Sequence, residues 1–144
     1  MTLSIIIPGG PVGKQRARTF YDPRVHRVVS KTPRKTVTQE SFIKAVFAQK
    51  YPGHVPLEGP LEMDLLIYFP IVKSASKKRQ ADMLAGRELP AKKPDSKNIL
   101  GLAEDALNGL AYVDDCQVVS HMIAKRYAKA PRIEINIRPV GEEP

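Results

Sequence analysis

Two segments alternate apolar and polar residues at every step, and nothing else in the chain constrains its fold as tightly. In residues 61–69, Leu61, Met63, Leu65, Ile67 and Phe69 share one side, with Glu62 and Asp64 opposite. In residues 132–138, Ile133, Ile135 and Ile137 alternate with Arg132, Glu134, Asn136 and Arg138. Successive side chains of an extended strand point to opposite faces, so both segments read as strands with one buried face and one wet face. The weaker alternation of Leu3-Ser4-Ile5-Ile6-Ile7 reads as another strand, ended by Pro8-Gly9-Gly10-Pro11. Residues 117–124 alternate in part and read as a further strand. Short extended pieces are expected near 19–21 and 27–29.

Three segments carry a helical pattern instead. Residues 36–50 place Phe42, Ile43, Val46 and Phe47 on one face and stop at Tyr51-Pro52-Gly53. Residues 74–86 begin with Ser74 and Ser76, both competent N-caps, and end at Gly86. Pro94-Asp95-Ser96 opens a helix running to about Asn108, with Ile99, Leu102, Ala103, Ala106 and Leu107 on its apolar face and Gly109 as its stop. Strands interspersed with two or three helices, in a mainly antiparallel or mixed sheet, make an α+β fold. A length of 144 residues fits one domain.

The charge balance bears on partners. Lys and Arg number 23 against 15 Asp and Glu, a net charge of +8. Phosphate contacts release counterions, so this balance favours a nucleic acid over a purely solubilising role. Much of the charge lies in the irregular stretch from Lys14 to Lys35 and in Lys77-Lys78-Arg79, a helix's first turn where cations oppose the dipole. Cys116 is the single cysteine, which excludes an internal disulfide and a zinc ribbon. With neither an apolar run of membrane length nor a signal-like start, no membrane partner and an intracellular location are expected.

Against this basic background a few carboxylates concentrate in one window. Asp95 stands at a helix start and Asp115 just before a strand, positions where scaffolds display functional side chains. If the strand after Asp115 packs beside the helix, the two can meet. Such hard oxygen donors suit magnesium or manganese. Each also has a plainer role open to it: Asp95 as a helix cap, Asp114-Asp115 as a polar turn, Asp105 as an exposed helix salt bridge. Other chemistries fit less well. His26, His54 and His121 match no zinc spacing, and Gly9-Gly10-Pro11 lacks the ending of a phosphate-cradling loop. Cys116 beside two acids has a disfavoured thiolate and reads as a small apolar residue entering a strand.

Several blocks, in order, resemble the RusA-type Holliday junction resolvases, a family often carried by prophages. They are the strand followed by Gly10-Pro11-Val12-Gly13-Lys14-Gln15-Arg16-Ala17-Arg18, the basic segment leading into Lys92-Lys93-Pro94-Asp95, and Asp105-Ala106-Leu107-Asn108-Gly109 with Tyr112 and Asp114-Asp115-Cys116-Gln117-Val118. The resemblance implies a bacterial or phage-encoded cytoplasmic enzyme, a homodimer that cuts four-way DNA junctions symmetrically with magnesium (or manganese). It makes Asp95 the first essential carboxylate and Asp115 the last, with Asp114 beside it. The basic segments would grip the DNA arms through Lys14, Arg16, Arg18, Lys77, Lys78, Arg79, Lys92 and Lys93. Two positions depart from the family's pattern. Lys97 stands where a second acidic ligand belongs, and Gly101 where a lysine belongs. Positions 97 and 101 share a helix face, so Lys97 is a candidate to take over the lysine's charge stabilisation, and Asp105, next to Glu104, to replace the ligand. A relative that binds branched DNA without cutting it is the alternative these departures leave open.

Overall fold

The computed structural model describes residues 1–15 and 17–142. Arg16, expected to contact DNA, lies outside the described residues. Four strands form the main sheet: β1 (Leu3–Pro8), β4 (Leu61–Pro70), β5 (Val118–Ala128) and β6 (Arg132–Pro139), in the order β1-β6-β4-β5. Strand β6 pairs antiparallel with both β1 and β4, whereas β4 and β5 run parallel. The sheet is therefore mixed. The parallel pair exists because the chain leaves β4, crosses through two helices and returns, as parallel neighbours require. A separate hairpin pairs β2 (Arg18–Asp22) with β3 (Arg27–Lys31).

The two alternating segments behave as their period demands. Leu61, Met63, Leu65, Ile67 and Phe69 are buried, as are Ile133, Ile135 and Ile137. Register places Leu65 opposite Ile135 and Ile5 opposite Ile135 from the other side, so one continuous apolar face spans three strands. Helices α1 (Arg34–Lys50) and α3 (Ser96–Leu107) complete this core with Ile43, Phe47, Ile99, Leu102, Ala103, Ala106 and Leu107. A Leu65→Ala cavity there would cost about 2–5 kcal/mol.

Four local expectations change. Phe42, expected on the buried face of α1, is 40% exposed; Thr36, Ile43 and Phe47 are that helix's buried residues. Helix α2 (Lys77–Leu84) starts later than the pattern suggested, because the Ser76 hydroxyl caps it by accepting from the Arg79 N–H at 3.2 Å. Strand β5 runs on to Ala128, since its partner β4 offers pairing along its whole length. Cys116 is exposed in a 3-10 turn (Asp115–Gln117) rather than packed in the strand.

Candidate active site

Helix α3 carries the candidate site along its length. Its N-cap is Asp95, whose carboxylate accepts from the Asn98 N–H at 2.8 Å. The capping role is therefore real. Around this end an open cleft is lined by Lys14, Lys35, Lys93, Asp95 and Asn98. The segment carrying Lys14 is pressed against the helix. A methyl group on Gly13 would lie 2.8 Å from Pro94 Cβ and 3.2 Å from Asn98 Cβ, which only glycine avoids. The Lys14 N–H donates to the Asn98 carbonyl at 3.0 Å, and the Gln15 N–H donates to the hydroxyl of the fully buried Thr36 at 3.0 Å.

The other end of α3 holds the remaining acids. Asp105 projects from the last turns, and the chain then folds back through Asn108 and Gly109, whose φ of 78° suits glycine. The Asn108 side chain accepts from the Asp115 N–H at 3.1 Å. Gln117 does more: its Oε1 accepts from the N–H groups of Val113 and Asp114, both at 2.9 Å. Its Nε2 donates to the carbonyls of Leu57 at 2.9 Å and Gly59 at 3.0 Å. Asp114 accepts from the Cys116 N–H at 3.1 Å, closing a capping box over the 3-10 turn. Tyr112, fully buried, donates its hydroxyl to the Glu104 carbonyl at 2.9 Å. These contacts fix the backbone of the turn, and among the described residues no backbone N–H donates to the Asp115 carboxylate.

The electrostatics follow from that arrangement. The Cys116 N–H holds the Asp114 carboxyl below the usual range, while Asp114 pushes the Asp115 carboxyl up. Desolvation and the charge of Asp105 push Asp115 the same way, and Lys14 opposes them. Burial raises the Glu104 carboxyl against the pull of His121, whose ring nitrogen lies 3.5 Å away. Desolvation and Asp114 raise the thiol of Cys116, as its acidic neighbours led us to expect. The C-terminal end of α3 is thus a concentration of negative charge with Lys14 as its ammonium partner. Lys14 reaches it along the helix: its Nζ meets Asp105 Oδ2 at 2.5 Å, and a Cβ on Gly101 would lie 3.7 Å from the Lys14 Cδ. Asp105 in turn holds the Lys14 ammonium's pKa up against burial.

Asp95 and Asp115 are held at opposite ends of α3. The first caps α3 and the second hangs from Asn108 just past its other end. At 1.5 Å per residue the helix between them spans about 20 Å. The acidic cluster fits magnesium or manganese in kind, since hard oxygen donors crowd and repel one another there. It falls short in number within one chain, because among the described residues no three His, Cys, Asp or Glu side chains are placed to hold an ion.

The other expected residues separate into free and engaged. Lys97 is exposed and makes no ion pair among the described residues. Lys77 and Lys78 stand exposed in the first turn of α2, whereas Arg79 is engaged by Glu88 at 3.1 and 3.2 Å. Lys93 lines the cleft with Asp95, and the Lys92 ammonium lies 5.5 Å from the Tyr127 ring centre. Arg18 starts β2 and lines a second recess with Phe20, Lys31 and Arg34. Sequence reasoning did not assign Asn108, Gln117 or Thr36 a task. For Gln117 a signal existed, because an Asp followed three residues later by Gln is capping-box spacing. No described helix is long and apolar enough to cross a membrane.

Comparison with known proteins gives the chain's family. The chain is 34% identical over 142 residues to the uncharacterized protein YqaN of Bacillus subtilis (strain 168), covering 96% of this chain and 97% of that protein. Residues 8–138 match the family model described as endodeoxyribonuclease RusA, a span that takes in both ends of α3, the Lys14 segment and the Gln117 turn. This chain belongs to the RusA endodeoxyribonuclease family.

Proposed function

We propose that this protein is a magnesium-dependent endonuclease, manganese being an alternative ion, that resolves four-way DNA junctions by paired symmetric nicks. The observation that carries the reading is the Asp115 turn. Gln117 and Asn108 use their hydrogen bonds to fix its backbone, and the carboxylate they present lies against Asp114 and in the field of Asp105, in a chain of net charge +8. A bound divalent ion supplies charge neutralisation and an activated water for phosphodiester hydrolysis. The chain's own residues do the positioning. Asp115, flanked by Asp114 and Asp105, offers the oxygen donors at one end of α3, and Asp95 offers one at the other. Lys93 and Lys35 line the cleft at Asp95, where backbone phosphates would be gripped with little regard to sequence. Arg18, Lys77, Lys78 and Lys92 extend that basic surface.

The reading includes a homodimer. Paired cuts at a two-fold junction call for two equal centres. Because α3 lies between Asp95 and Asp115 of one chain, with Asp95 at its N-cap and Asp115 held by Asn108 at its other end, we assign each centre to Asp95 of one copy and Asp115 of the other. Incubating the protein with a labelled four-way junction and magnesium tests the activity: paired nicks at symmetric positions are expected, and junction left intact at saturating protein would overturn it. Mixing tests the dimer. Asp95→Asn and Asp115→Asn proteins, each inactive alone, should regain cutting after co-refolding, because a mixed dimer rebuilds one whole centre. Its product should be a single nick per junction. A mixture that stays inactive would place both carboxylates in the same chain's centre.

A further inference from the structure

We propose that Lys14 is the active-site cation of this enzyme, reaching the acidic cluster across a gap that Gly101 leaves open, and that it acts on the phosphate being cut rather than on a DNA arm. The inference rests on the nuclease reading and names a residue for it. The Lys14 backbone is locked on both sides, by Asn98 on α3 and, through Gln15, by Thr36 on α1. Its neighbour Gly13 is seated so closely on Pro94 that no side chain fits. An exposed ion pair formed for surface charge balance does not need a backbone held in this way. The stem then lies over Gly101, where a Cβ would already touch its Cδ at 3.7 Å and a longer side chain would occupy its path. The ammonium ends on Asp105 and within the field of Asp115. Lys97, the cation expected to do this work, makes no ion pair among the described residues. A lysine delivered from a separate segment thus fills the space above α3 that a side chain at position 101 would otherwise take.

The proposed chemistry is electrostatic. In the free protein Asp105 is the counter-ion of Lys14. When a backbone phosphate lies at the cluster, the ammonium donates to a non-bridging oxygen and offsets the charge that grows there as water attacks phosphorus and the ester P–O bond breaks. Lys14 forms and breaks no covalent bond. Held beside Asp115, the same ammonium also opposes entry of a divalent ion, so removing it should help the metal and harm the cut.

Three variants test this. Lys14→Met keeps the stem and removes the charge. Lys14→Ala clears the path, and Lys14→Ala with Gly101→Lys returns an ammonium from the helix side. For Lys14→Met, the single-turnover cutting rate should fall about 100-fold, with junction affinity changed far less. Its affinity for manganese, measured as free ion by electron paramagnetic resonance, should rise about tenfold. The double variant should cut well above Lys14→Ala and bind manganese more weakly than it. An unchanged rate, a loss confined to junction affinity, or a double variant as slow as Lys14→Ala would overturn the assignment. If the parent protein cuts no junction, the nuclease reading fails by itself. The manganese measurement then still decides where the Lys14 charge acts, and equal affinity in Lys14→Met and parent overturns the placement.

Discussion

Replacing Gln117 by alanine should loosen the turn that presents Asp115 and unfold the protein at a lower temperature. The side chain accepts from two N–H groups and donates to two carbonyls, at 2.9–3.0 Å. A net worth of about 1 kcal/mol per hydrogen bond gives roughly 4 kcal/mol for the set. Val113, Asp114 and Gly59 are exposed, so water can replace part of what is lost. Halving the sum leaves about 2 kcal/mol, or a melting temperature lower by roughly 4–8 °C for a chain of this size. Gln117→Glu separates geometry from charge. Its carboxylate keeps the two accepted bonds, loses the two donated ones and adds a charge beside Asp114 and Asp115. The two backbone N–H groups favour that charge and the neighbouring Asp114 and Asp115 oppose it, so the pH dependence of the variant's stability reads which of the two prevails. Thermal unfolding followed by circular dichroism at pH 4.5 and 7.5 reads both effects. An alanine variant melting within a degree of the parent, with a glutamate variant insensitive to pH, would show that the turn is held by something else.

Other substitutions follow from the same contacts. Gly13→Ala should cost about 1–3 kcal/mol, because its methyl would sit 2.8 Å from Pro94 Cβ; equal denaturant midpoints would refute that packing. Gly101→Ala should instead stabilise by about 0.5–1 kcal/mol through helix propensity, its Cβ meeting only an ordinary 3.7 Å contact with Lys14. Tyr112→Phe leaves the buried ring in place and removes the bond to the Glu104 carbonyl, which should cost about 1 kcal/mol in urea titration. Asp115→Asn should abolish cutting yet melt at or slightly above the parent at pH 7. The folded pKa of Asp115 is raised, so its contribution favours folding in acid and is lost as pH rises through that pKa. Removing the charge relieves the neutral-pH penalty, and the advantage over the parent should vanish near pH 3.

The strands were readable wherever a period of two was enforced by one buried face. That condition holds for β4 and β6, whose odd-numbered residues are buried without exception from Leu61 to Phe69 and at Ile133, Ile135 and Ile137. It fails for β5, an edge strand whose Val119, Ser120, His121 and Met122 are all exposed, so its length came from pairing with β4 rather than from its own pattern. Parallel pairing was likewise hidden, because strand direction is decided by the route of the chain and leaves no mark on the alternation. Phe42 shows the limit for helices. It falls within the apolar arc of α1, but only Thr36, Ile43 and Phe47 of that helix are buried.

The site was legible as a set of residue types and illegible as a set of distances. The twenty-residue spacing from Asp95 to Asp115 says nothing about separation until it is known that α3 fills most of it as a straight rod. A helix holds its two ends apart at about 1.5 Å per residue, whereas a hairpin of the same length would have joined them. Lys14 illustrates the converse. Ninety-one residues separate it from Asp105, and no local pattern links them. Their meeting depends on three features that carry no charge of their own: the absence of a side chain at Gly13, the absence of a long one at Gly101, and a buried hydroxyl at Thr36. Charged residues announce that chemistry is near, but in this chain the small residues decide which charges meet.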